Sequence, residues 1–307
     1  MLNFKNLKNF FPKFINKKNY LKNKKLLEIE NDKKIFKENY EDYIYKIQDV
    51  IRDKKEISFM HSGHTGDMLL NLPVIKEISK THKCKLFVQL NSPNPKYYDE
   101  HPAGQFLMNK QIYDMVFPLL ANQKYIESVE VFNNQHIDVN LDIIRKLGLN
   151  LIFDNMKYGF HVTGVQPDLN KEFLECNEHP VLKKKIIIHR TLRYQNHFIN
   201  YNFLEKHEDA YFVGTFKEYE DLKKNLKNLK FYDCKNFLEM AMIIKSSKVF
   251  IGNSSIGIIM AEGLKVPRLL EASPHFPAAQ IHGEKGYDFY FQAHFEKYFN
   301  LLYNLKY

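Results

Sequence analysis

The stretch Val249–Glu262 constrains the fold of this chain more than any other. Its apolar start, over residues 249–251, predicts a buried strand, and its apolar end predicts a helix. Small residues and two hydroxyls lie between them. The first N–H groups of such a helix have no partner within the helix, and the helix dipole favours negative charge there. The stretch therefore predicts a phosphate site, with an ordinary strand-to-helix turn as the alternative.

Four residues of this turn are candidates for contact with a ligand. Ser254 and Ser255 can cap the helix or donate their hydroxyls to a phosphate. Gly252 and Gly257 lack a Cβ, so the backbone can approach a ligand closely. The spacing of these residues leaves both uses of the serines open.

Strand and helix patterns alternate along the remainder of the chain. Short apolar runs predict strands over residues 56–60, 85–90, 115–119, 137–141, 160–163, 185–190, 210–214, 230–232 and 268–271. Apolar residues at helical spacing predict helices over residues 26–52, 68–80, 122–133, 217–226 and 236–245. Such alternation is typical of parallel sheets covered by helices on both faces. We therefore predict an α/β fold with two Rossmann-like domains facing each other across a cleft.

The chain divides into four predicted segments. These are a basic, amphipathic helical extension over residues 1–53, a first Rossmann-like domain over 54–175, a second over 176–292 and a closing helix over 293–307. A chain of 307 residues has the length of two ordinary domains. In sheets of this kind, ligands bind beyond the C-terminal ends of the strands.

Charge favours an anionic partner. The formal net charge of +9 suits phosphates, nucleic acid or acidic lipid without selecting one of them. Lysines and apolar residues interleave over residues 1–25, and no acidic residue precedes Glu28. We predict that this segment lies on an anionic membrane as a basic amphipathic helix. The alternatives are a solvated tail and a segment packed on the protein itself.

Cysteine and hydropathy patterns bear on location. Cys84, Cys176 and Cys234 have no metal-ligand spacing and form no obvious disulfide framework, which favours a reducing cytoplasm. No apolar run has the length of a transmembrane helix, and the N-terminus lacks the apolar core of a signal peptide. We predict a cytoplasmic protein, at the inner face of the membrane if residues 1–25 bind lipid.

Three short sequence segments lie close together in the second half of the chain. They are Gly252-Asn253-Ser254-Ser255, Gly257-Ile258-Ile259 and Leu264-Lys265-Val266-Pro267. They resemble the nucleotide-sugar loop of UDP-N-acetylglucosamine 2-epimerases. In that family the turn and the helix start hold the diphosphate, which implies this role for Asn253, Ser254, Ser255 and Gly257. Met260 stands where the family has an acidic ribose ligand, and Glu262 is the nearby candidate for that role.

The front of the chain carries Gly66-Asp67-Met68-Leu69-Leu70-Asn71-Leu72-Pro73, followed by Ile75-Lys76. This motif resembles the opening of heptosyltransferase-type glycosyltransferases of family 9, which have the two-domain GT-B fold. A later segment is similar to that family's strand, glycine and glutamate near the nucleotide. It reads Phe212-Val213-Gly214-Thr215-Phe216-Lys217-Glu218. The resemblance implies nucleotide contact for Gly66, Gly214 and Glu218. The family's Asp-Ser-Gly with a later His-Leu-Ala is absent from this chain.

Inverting sugar transfer needs a base near the acceptor hydroxyl and positive groups for the departing diphosphate. Asp67 is the candidate base, with a helix cap as the alternative. His64 is a candidate donor to the acceptor or phosphate, or else a packed loop histidine. His61 and His64 have a separation that suits a metal, but no cysteine or carboxylate cluster completes a ligand set in this loop. We predict no metal and no cofactor.

Two arginines follow the predicted strand over residues 185–190. Arg190 and Arg193 can clamp a diphosphate through paired hydrogen bonds and so replace a metal as the charge stabiliser. The alternative is a surface pair of cations.

The combined patterns predict a hexosyl- or heptosyl-type glycosyltransferase. It would move a sugar from a nucleotide-sugar donor in the second domain to a glycan or lipid-linked acceptor in the first, by inversion and without a metal, in surface polysaccharide synthesis. One alternative is a nucleotide-sugar 2-epimerase or hydrolase on the same fold. A non-catalytic GT-B-like binding protein is another, which Met260 and the missing histidine favour. Charge alone supports nucleic-acid binding, and in the absence of a nucleic-acid motif we predict none.

Overall fold

Two parallel sheets form the framework of the protein, as the alternation of patterns predicts. The computed structural model describes residues 17–94, 103–146 and 153–305. Most of the predicted membrane segment, up to residue 16, lies outside these described residues, so its contact with lipid stays a prediction. The predicted α/β class is confirmed, because the sheets consist of parallel strands with helices between them.

From residue 17 onwards, two helices precede the first sheet. α1 (Lys17–Asn39) has no buried residue, whereas α2 (Glu41–Asp53) buries Ile47 against the body of the protein. The sequence predicts one helix over residues 26–52, and the structure divides it at Tyr40.

Across the described helices, none combines the length and the apolar character needed to cross a membrane.

The first sheet has the strand order β3-β2-β1-β4, and every pair is parallel. Its strands are β1 (Glu56–His61), β2 (Lys83–Val88), β3 (Ser128–Val131) and β4 (Val139–Asn140). The helices of this half are α3 (Thr65–Leu70), α4 (Leu72–Ile78), α5 (Lys110–Ala121) and α6 (Tyr158–Thr163). A 3₁₀ helix, Leu141–Lys146, follows β4 directly, and a second one, Asn155–Lys157, precedes α6.

Two strands predicted in this half are helical instead. Residues 115–119 belong to α5, which begins after Asn109, whose Oδ1 accepts a hydrogen bond from the N–H of Ile112 at 2.9 Å. The helix buries one face, formed by Tyr113, Val116, Leu119 and Leu120. That spacing is helical, so the apolar run is part of a helix face. Residues 160–163 lie in α6, and the predicted helix over 122–133 contains β3.

The second sheet has the strand order β10-β9-β8-β5-β6-β7, again with every pair parallel. Its strands are β5 (Ile186–His189), β6 (Ala210–Val213), β7 (Lys230–Tyr232), β8 (Val249–Asn253), β9 (Arg268–Glu271) and β10 (Gly286–Phe289). Its helices are α7 (Phe216–Lys223), α8 (Phe237–Lys245), α9 (Ile256–Leu264) and α10 (Gln292–Tyr303). A 3₁₀ helix, Asn202–Lys206, lies between β5 and β6. The edge strand β10 has no counterpart among the predicted strands.

Helices and a connecting segment join the two sheets. α3 packs on α9, and α5 packs on α8. The N–H groups of Phe173 and Leu174 both donate to the carbonyl oxygen of Gly263, at 2.9 and 3.0 Å. The hydroxyl of Tyr125 donates to the carbonyl oxygen of Phe173 at 2.6 Å. α3 follows the C-terminal end of β1, and α9 follows the C-terminal end of β8. The contact between α3 and α9 therefore lies between these two strand ends.

Candidate functional site

The loop after β1 forms the first half of the candidate site. Gly63 has a φ of +90°, and a Cβ on it would lie 2.9 Å from the carbonyl oxygen of Leu107, so the turn requires glycine. Nδ1 of His61 accepts a hydrogen bond from the N–H of Gly63 at 2.9 Å, which holds the loop on the end of β1. This loop positions the half-buried His64 and Asp67 at the start of α3.

Asp67 is paired with Arg145 of the 3₁₀ helix after β4. Nη2 of Arg145 donates to Oδ2 of Asp67 at 2.8 Å, and Nη1 lies 3.0 Å from Oδ1 of Asp142. Asp142 is fixed in turn, because its Oδ2 accepts a hydrogen bond from the N–H of Ser62 at 2.7 Å. The side chain of Asp67 keeps 40% of its surface exposed. Its carboxylate therefore reaches solvent, although protein atoms surround it.

The charge of Asp67 depends on a balance between burial and the neighbouring cation. Desolvation by itself would raise the pKa of Asp67, but the charge of Arg145, together with the nearby His61 and His64 and the hydrogen bond from Arg145, holds the pKa below its ordinary value. Burial lowers the pKa of the His61 imidazole, so His61 is neutral at pH 7. Asp67 is ionised at that pH, which is the state required both of a base and of a helix cap.

The start of α9 forms the second half of the site. Ser255 is the N-cap residue, but its hydroxyl donates to the carbonyl oxygen of Asn253 at 3.0 Å and makes no side-chain cap. By helix geometry, the first-turn N–H groups have no carbonyl partner within α9. Ser254 is 9% exposed, and Ser255 and Ile256 are more exposed. The predicted anion site is therefore open to solvent at its edge.

Three glycines surround His189 at the C-terminal end of β5. A Cβ on Gly257 would lie 2.7 Å from Cδ2 of His189, and one on Gly252 would lie 2.8 Å from its carbonyl oxygen. Gly214, with a φ of +150°, also approaches the imidazole, because its Cβ position lies 3.1 Å from Nδ1. The imidazole therefore packs directly against the first turn of α9 and the end of β6.

His189 carries an unused acceptor in this position. Its Nδ1 lies 2.7 Å from the carbonyl oxygen of Val213, a contact that requires the proton on Nδ1. Nε2 is buried and has no hydrogen-bond partner among the described residues. Burial lowers the pKa of His189, against the opposing charge of Glu218, so the neutral form is favoured.

Glu218, for which the resemblance to family 9 implies nucleotide contact, lies in the first turn of α7. Its Oε2 accepts a hydrogen bond from the N–H of Thr215 at 3.1 Å, and the Thr215 hydroxyl accepts one from the N–H of Glu218. The residue thus completes a capping box. Oε1 has no hydrogen bond from the described residues, so one carboxylate oxygen is open to a ligand.

The guanidinium of Arg190 forms an ion pair with a buried carboxylate. Its Nε and Nη2 donate to Glu271 at 2.7 and 2.8 Å, and Glu271 is fully buried. The same carboxylate accepts hydrogen bonds from the Tyr201 hydroxyl at 2.8 Å and the Asn196 N–H at 2.6 Å. Binding of a diphosphate by Arg190 stays a prediction, and these contacts argue against it. Arg193 instead stacks over its neighbouring tyrosine ring, 5.6 Å from the centroid.

Asn253 and Glu262 also use their side chains within the protein. The amide of Asn253 is fully buried and bonds both to Thr191 and to the carbonyl oxygen of Arg193, which ties β8 to the loop after β5. Glu262 lies at the far end of α9 and accepts a hydrogen bond from Nε of Arg268 at 2.5 Å. The ribose contact predicted for Glu262 stays a prediction that this ion pair disfavours.

The two halves of the site meet at Gly66. A Cβ on Gly66 would lie 3.1 Å from Cδ1 of Ile259, so α3 and α9 are in van der Waals contact there. Asp67 is the next residue of α3, and Ile259 ends the first turn of α9. The helix that carries Asp67 and the helix that begins at the anion site are therefore in direct contact.

Comparison with solved structures identifies the fold. A family 9 glycosyl transferase from Veillonella parvula DSM 2008 superposes with a TM-score of 0.51 at 10% identity, covering 83% of this chain and 91% of that one. The chain has the fold of this glycosyl transferase. The predicted resemblance to family 9 is thereby confirmed at the level of fold. No protein-family model and no curated protein matches the sequence.

Two further structures resemble this GT-B fold more loosely. ADP-heptose lipopolysaccharide heptosyltransferase II of Escherichia coli has a TM-score of 0.46 at 12% identity, covering 81% of this chain and 98% of that one. The UDP-N-acetylglucosamine 2-epimerase of Methanocaldococcus jannaschii has a TM-score of 0.37 at 14% identity, covering 82% and 93%. Both TM-scores are below 0.5, so the fold assignment rests on the Veillonella structure.

Two residues of the candidate site are not among the predicted ones. Arg145 follows a two-residue strand in a segment without a motif, so no local pattern marks it. His189 did carry a signal, because it ends a continuous apolar strand and directly precedes Arg190. Both residues acquire their contacts from parts of the chain that are distant in sequence.

Proposed function

We propose that the chain is a glycosyltransferase that moves a sugar from a nucleotide-sugar donor to a glycan or lipid-linked acceptor. The observation that carries this proposal is the contact of Gly66 with Ile259, because it brings the helix that carries Asp67 against the first turn of α9. A base and an anion site on two helices in contact suit group transfer between two bound substrates.

The donor would bind on the second sheet. The first-turn N–H groups of α9 and the hydroxyls of Ser254 and Ser255 are suited to the diphosphate, because they combine hydrogen-bond donors with the positive end of a helix. Gly257 supports this role, since a side chain there would displace the helix start. The open Oε1 of Glu218 is suited to a ribose hydroxyl, which donates to a carboxylate. Arg193 is the remaining candidate cation for the phosphates.

The acceptor would bind on the first sheet, beside Asp67 and His64. Its hydroxyl oxygen bonds to the anomeric carbon of the donor, on the face opposite the diphosphate. The bond from that carbon to the diphosphate oxygen breaks, and its electron pair leaves with the diphosphate. The hydroxyl proton passes to Asp67. A carboxylate of low pKa can accept this proton because the hydroxyl becomes acidic as its oxygen bonds to carbon. The backbone amides of α9 stabilise the negative charge that develops on the departing diphosphate, without a metal.

We place this reaction in surface polysaccharide synthesis at the cytoplasmic face of a membrane. The support is the charge of the N-terminal extension, where the exposed start of α1 carries Lys17, Lys18 and Lys22. Juxtamembrane lysines each contribute about 1 kcal/mol of attraction to an anionic lipid surface. Sedimentation with vesicles containing anionic lipid tests this part, and equal binding to neutral vesicles would contradict it.

A panel of nucleotide sugars tests the donor site. We expect one class among UDP-, GDP-, ADP- and CMP-sugars to raise the melting temperature, since a ligand at 100 times its Kd adds about 2.7 kcal/mol of stability. The stabilisation should be lost on changing Ser254 and Ser255 to alanine together. If no nucleotide sugar stabilises the protein, the proposal fails and a binding protein of another kind is indicated.

Turnover separates a transferase from an epimerase or hydrolase. Release of nucleoside diphosphate from the stabilising donor is followed with and without a membrane glycolipid extract, and we expect release to depend on the extract. Asp67→Asn should lower the rate by about 10²- to 10⁴-fold and leave donor binding unchanged. Asp168→Asn, an exposed carboxylate on the connecting segment, is the matched control. Rapid turnover without the extract would favour the epimerase or hydrolase alternative.

A further inference from the structure

Arg145 has contacts that indicate a function beyond a simple ion pair. We propose that Arg145 is a positioning residue that keeps Asp67 ionised and determines which carboxylate oxygen receives the acceptor proton. This inference rests on the proposed transfer reaction, in which Asp67 is the base.

The geometry leaves one oxygen of Asp67 open. Oδ2 accepts the hydrogen bond from Nη2 of Arg145 at 2.8 Å. Oδ1 has no hydrogen bond from the described residues, while 40% of the side chain is exposed to solvent. A carboxylate held at one oxygen cannot turn freely about its Cβ–Cγ bond. The pairing therefore presents Oδ1 to the acceptor hydroxyl.

The guanidinium is anchored on its other side. Nη1 of Arg145 lies 3.0 Å from Oδ1 of Asp142 and donates to Oγ of Ser62 at 3.2 Å. Asp142 is held by the N–H of Ser62, so both partners of Nη1 belong to the framework around β1. Such an anchor fixes the position of Nη2 and, through it, the position of Asp67. A side chain with one donor would supply the charge without this two-sided connection.

Few other charges of the described residues face Asp67. The titratable groups that the structure places around it are Arg145, the histidines of the β1 loop, His61 and His64, and the hydroxyl of Tyr158 on α6. α9 faces this region with the apolar Ile259. Burial raises the pKa of Tyr158 to about 12, and His61 is neutral because burial lowers its pKa. Arg145 is thus the permanent cation of this group, since a guanidinium does not lose its proton in proteins.

The protonation state of the base follows from this arrangement. Burial favours the neutral form of a carboxyl group, and an adjacent arginine favours the ionised form. Without Arg145, Asp67 would bind a proton at a higher pH and could not accept one from the acceptor over that range. A merely structural arginine would affect stability and leave the titration of Asp67 where it is.

The first test measures the titration of Asp67 directly and needs no substrate. The full chain is labelled with ¹³Cγ-aspartate, and the Asp67 signal is assigned as the one lost in Asp67→Asn. In Arg145→Met we expect the Asp67 midpoint to rise by about one pH unit or more, the usual effect of an adjacent arginine. Arg145→Lys should keep the midpoint low. An unchanged midpoint in a folded Arg145→Met protein would overturn the proposal.

Arg52 provides a matched control. It also lies between two aspartates, 2.8 Å from Asp49 and 2.8 Å from Asp53, but on the exposed face of α2. Arg52→Met should leave the Asp67 signal unchanged. A shift of the Asp67 midpoint in this variant would mean that general charge, and not the pairing with Arg145, sets the titration, and would count against the proposal.

The second test measures the consequence for the reaction. Release of nucleoside diphosphate from the nucleotide sugar that stabilises the protein is followed over a range of pH, with the membrane glycolipid extract as the source of the acceptor. In Arg145→Met the acid limb of kcat should move to higher pH and kcat should fall by about 10²-fold, the cost of a misplaced reacting group, with KM unchanged. Arg145→Lys should retain the acid limb and only part of the rate. An unmoved limb would overturn the proposal. If no nucleotide sugar stabilises the protein or releases nucleoside diphosphate in the presence of the extract, the proposed function fails, and the carboxylate titration still decides the role of Arg145.

Discussion

Gly257 lies so close to His189 that a Cβ on the glycine would approach Cδ2 of the imidazole to 2.7 Å. α9 can begin at this position because residue 257 has no side chain. The direction of the first-turn N–H groups, and with it the candidate anion site, depends on this contact. Nε2 of the same imidazole is buried and has no hydrogen-bond partner in the part of the chain that the structure describes.

We expect Gly257→Ala to displace the first turn of α9. Overpacking of this kind costs about 1–3 kcal/mol, and the stabilisation by nucleotide sugars should be lost with it. Urea denaturation and thermal shift measure the two effects. Combining it with His189→Ala should recover part of the stability, because the smaller side chain makes room for the new methyl group. Equal stability and ligand response in Gly257→Ala and the wild type would contradict the packing described here.

A second prediction concerns the contact between the two sheets. Gly66→Val would press a branched side chain against Cδ1 of Ile259, which is 3.1 Å from the Cβ position. We expect a loss of about 1–3 kcal/mol in the free energy of unfolding. Ile259→Val removes that methyl group and should relieve part of the loss in the double variant, although alone it costs about 0.5–1.5 kcal/mol. Additive effects in this double-mutant cycle would mean that the two helices do not meet at Gly66.

The third prediction separates a structural arginine from a ligand-binding one. Glu271→Gln leaves the buried guanidinium of Arg190 without its charge partner, and we expect a destabilisation of about 3–5 kcal/mol in the absence of any ligand. Arg193→Met should change stability little and weaken donor binding. Melting curves of the two variants, with and without nucleotide sugar, test this. A stable Glu271→Gln protein with impaired donor binding would reverse the two roles.

The fourth prediction is a decline in stability at mildly acidic pH. Burial lowers the pKa of both His61 and His189 below the unfolded value of about 6.5. As the pH falls through that value, the unfolded chain binds protons that the folded chain does not. Stability therefore falls by at most about 1.4 kcal/mol per pH unit for each histidine, until the folded pKa is reached. The lowered pKa of Asp67 affects stability only at lower pH, where this carboxyl group begins to bind a proton in the unfolded chain.

Urea denaturation between pH 7 and pH 5 measures this decline. His189→Asn keeps a donor for the carbonyl oxygen of Val213 and removes the titrating ring, so its stability should depend less on pH. His197→Asn changes an exposed histidine and should follow the wild type. If His189→Asn and the wild type show equal slopes, buried neutral histidine is not the cause of the decline.

Local patterns predicted the second sheet well. The strands β7 and β9 have the predicted bounds, and β5, β6 and β8 lie within or next to theirs. Such strands are continuous apolar runs because helices cover both faces of a parallel sheet. The sequence of turn and helix around Ser254 and Ser255 was predictable for a similar reason, since its residues are neighbours along the chain.

Short apolar runs were ambiguous where length and flanking residues did not distinguish strand from helix. Residues 115–119 contain Val116 and Phe117, which suit a strand, yet the buried face continues back to Tyr113 at helical spacing. The edge strand β10, Gly286–Phe289, has one fully covered residue, Phe289, and lacks the apolar run of a central strand. Packing against β9 and α10 decides its conformation.

The sequence by itself determined the α/β class, most of the strands and the position of the polar turn before α9. These features depend on periodicity and small residues within a few positions of each other. Tertiary structure alone decided the pairing of Arg145 with Asp67 and of Arg190 with Glu271, which are 78 and 81 positions apart. Periodicity records which face of an element is buried, whereas these pairs depend on the strand order and on the packing of loops from different strands. For that reason the sequence could nominate Asp67, and only the fold could show what holds it.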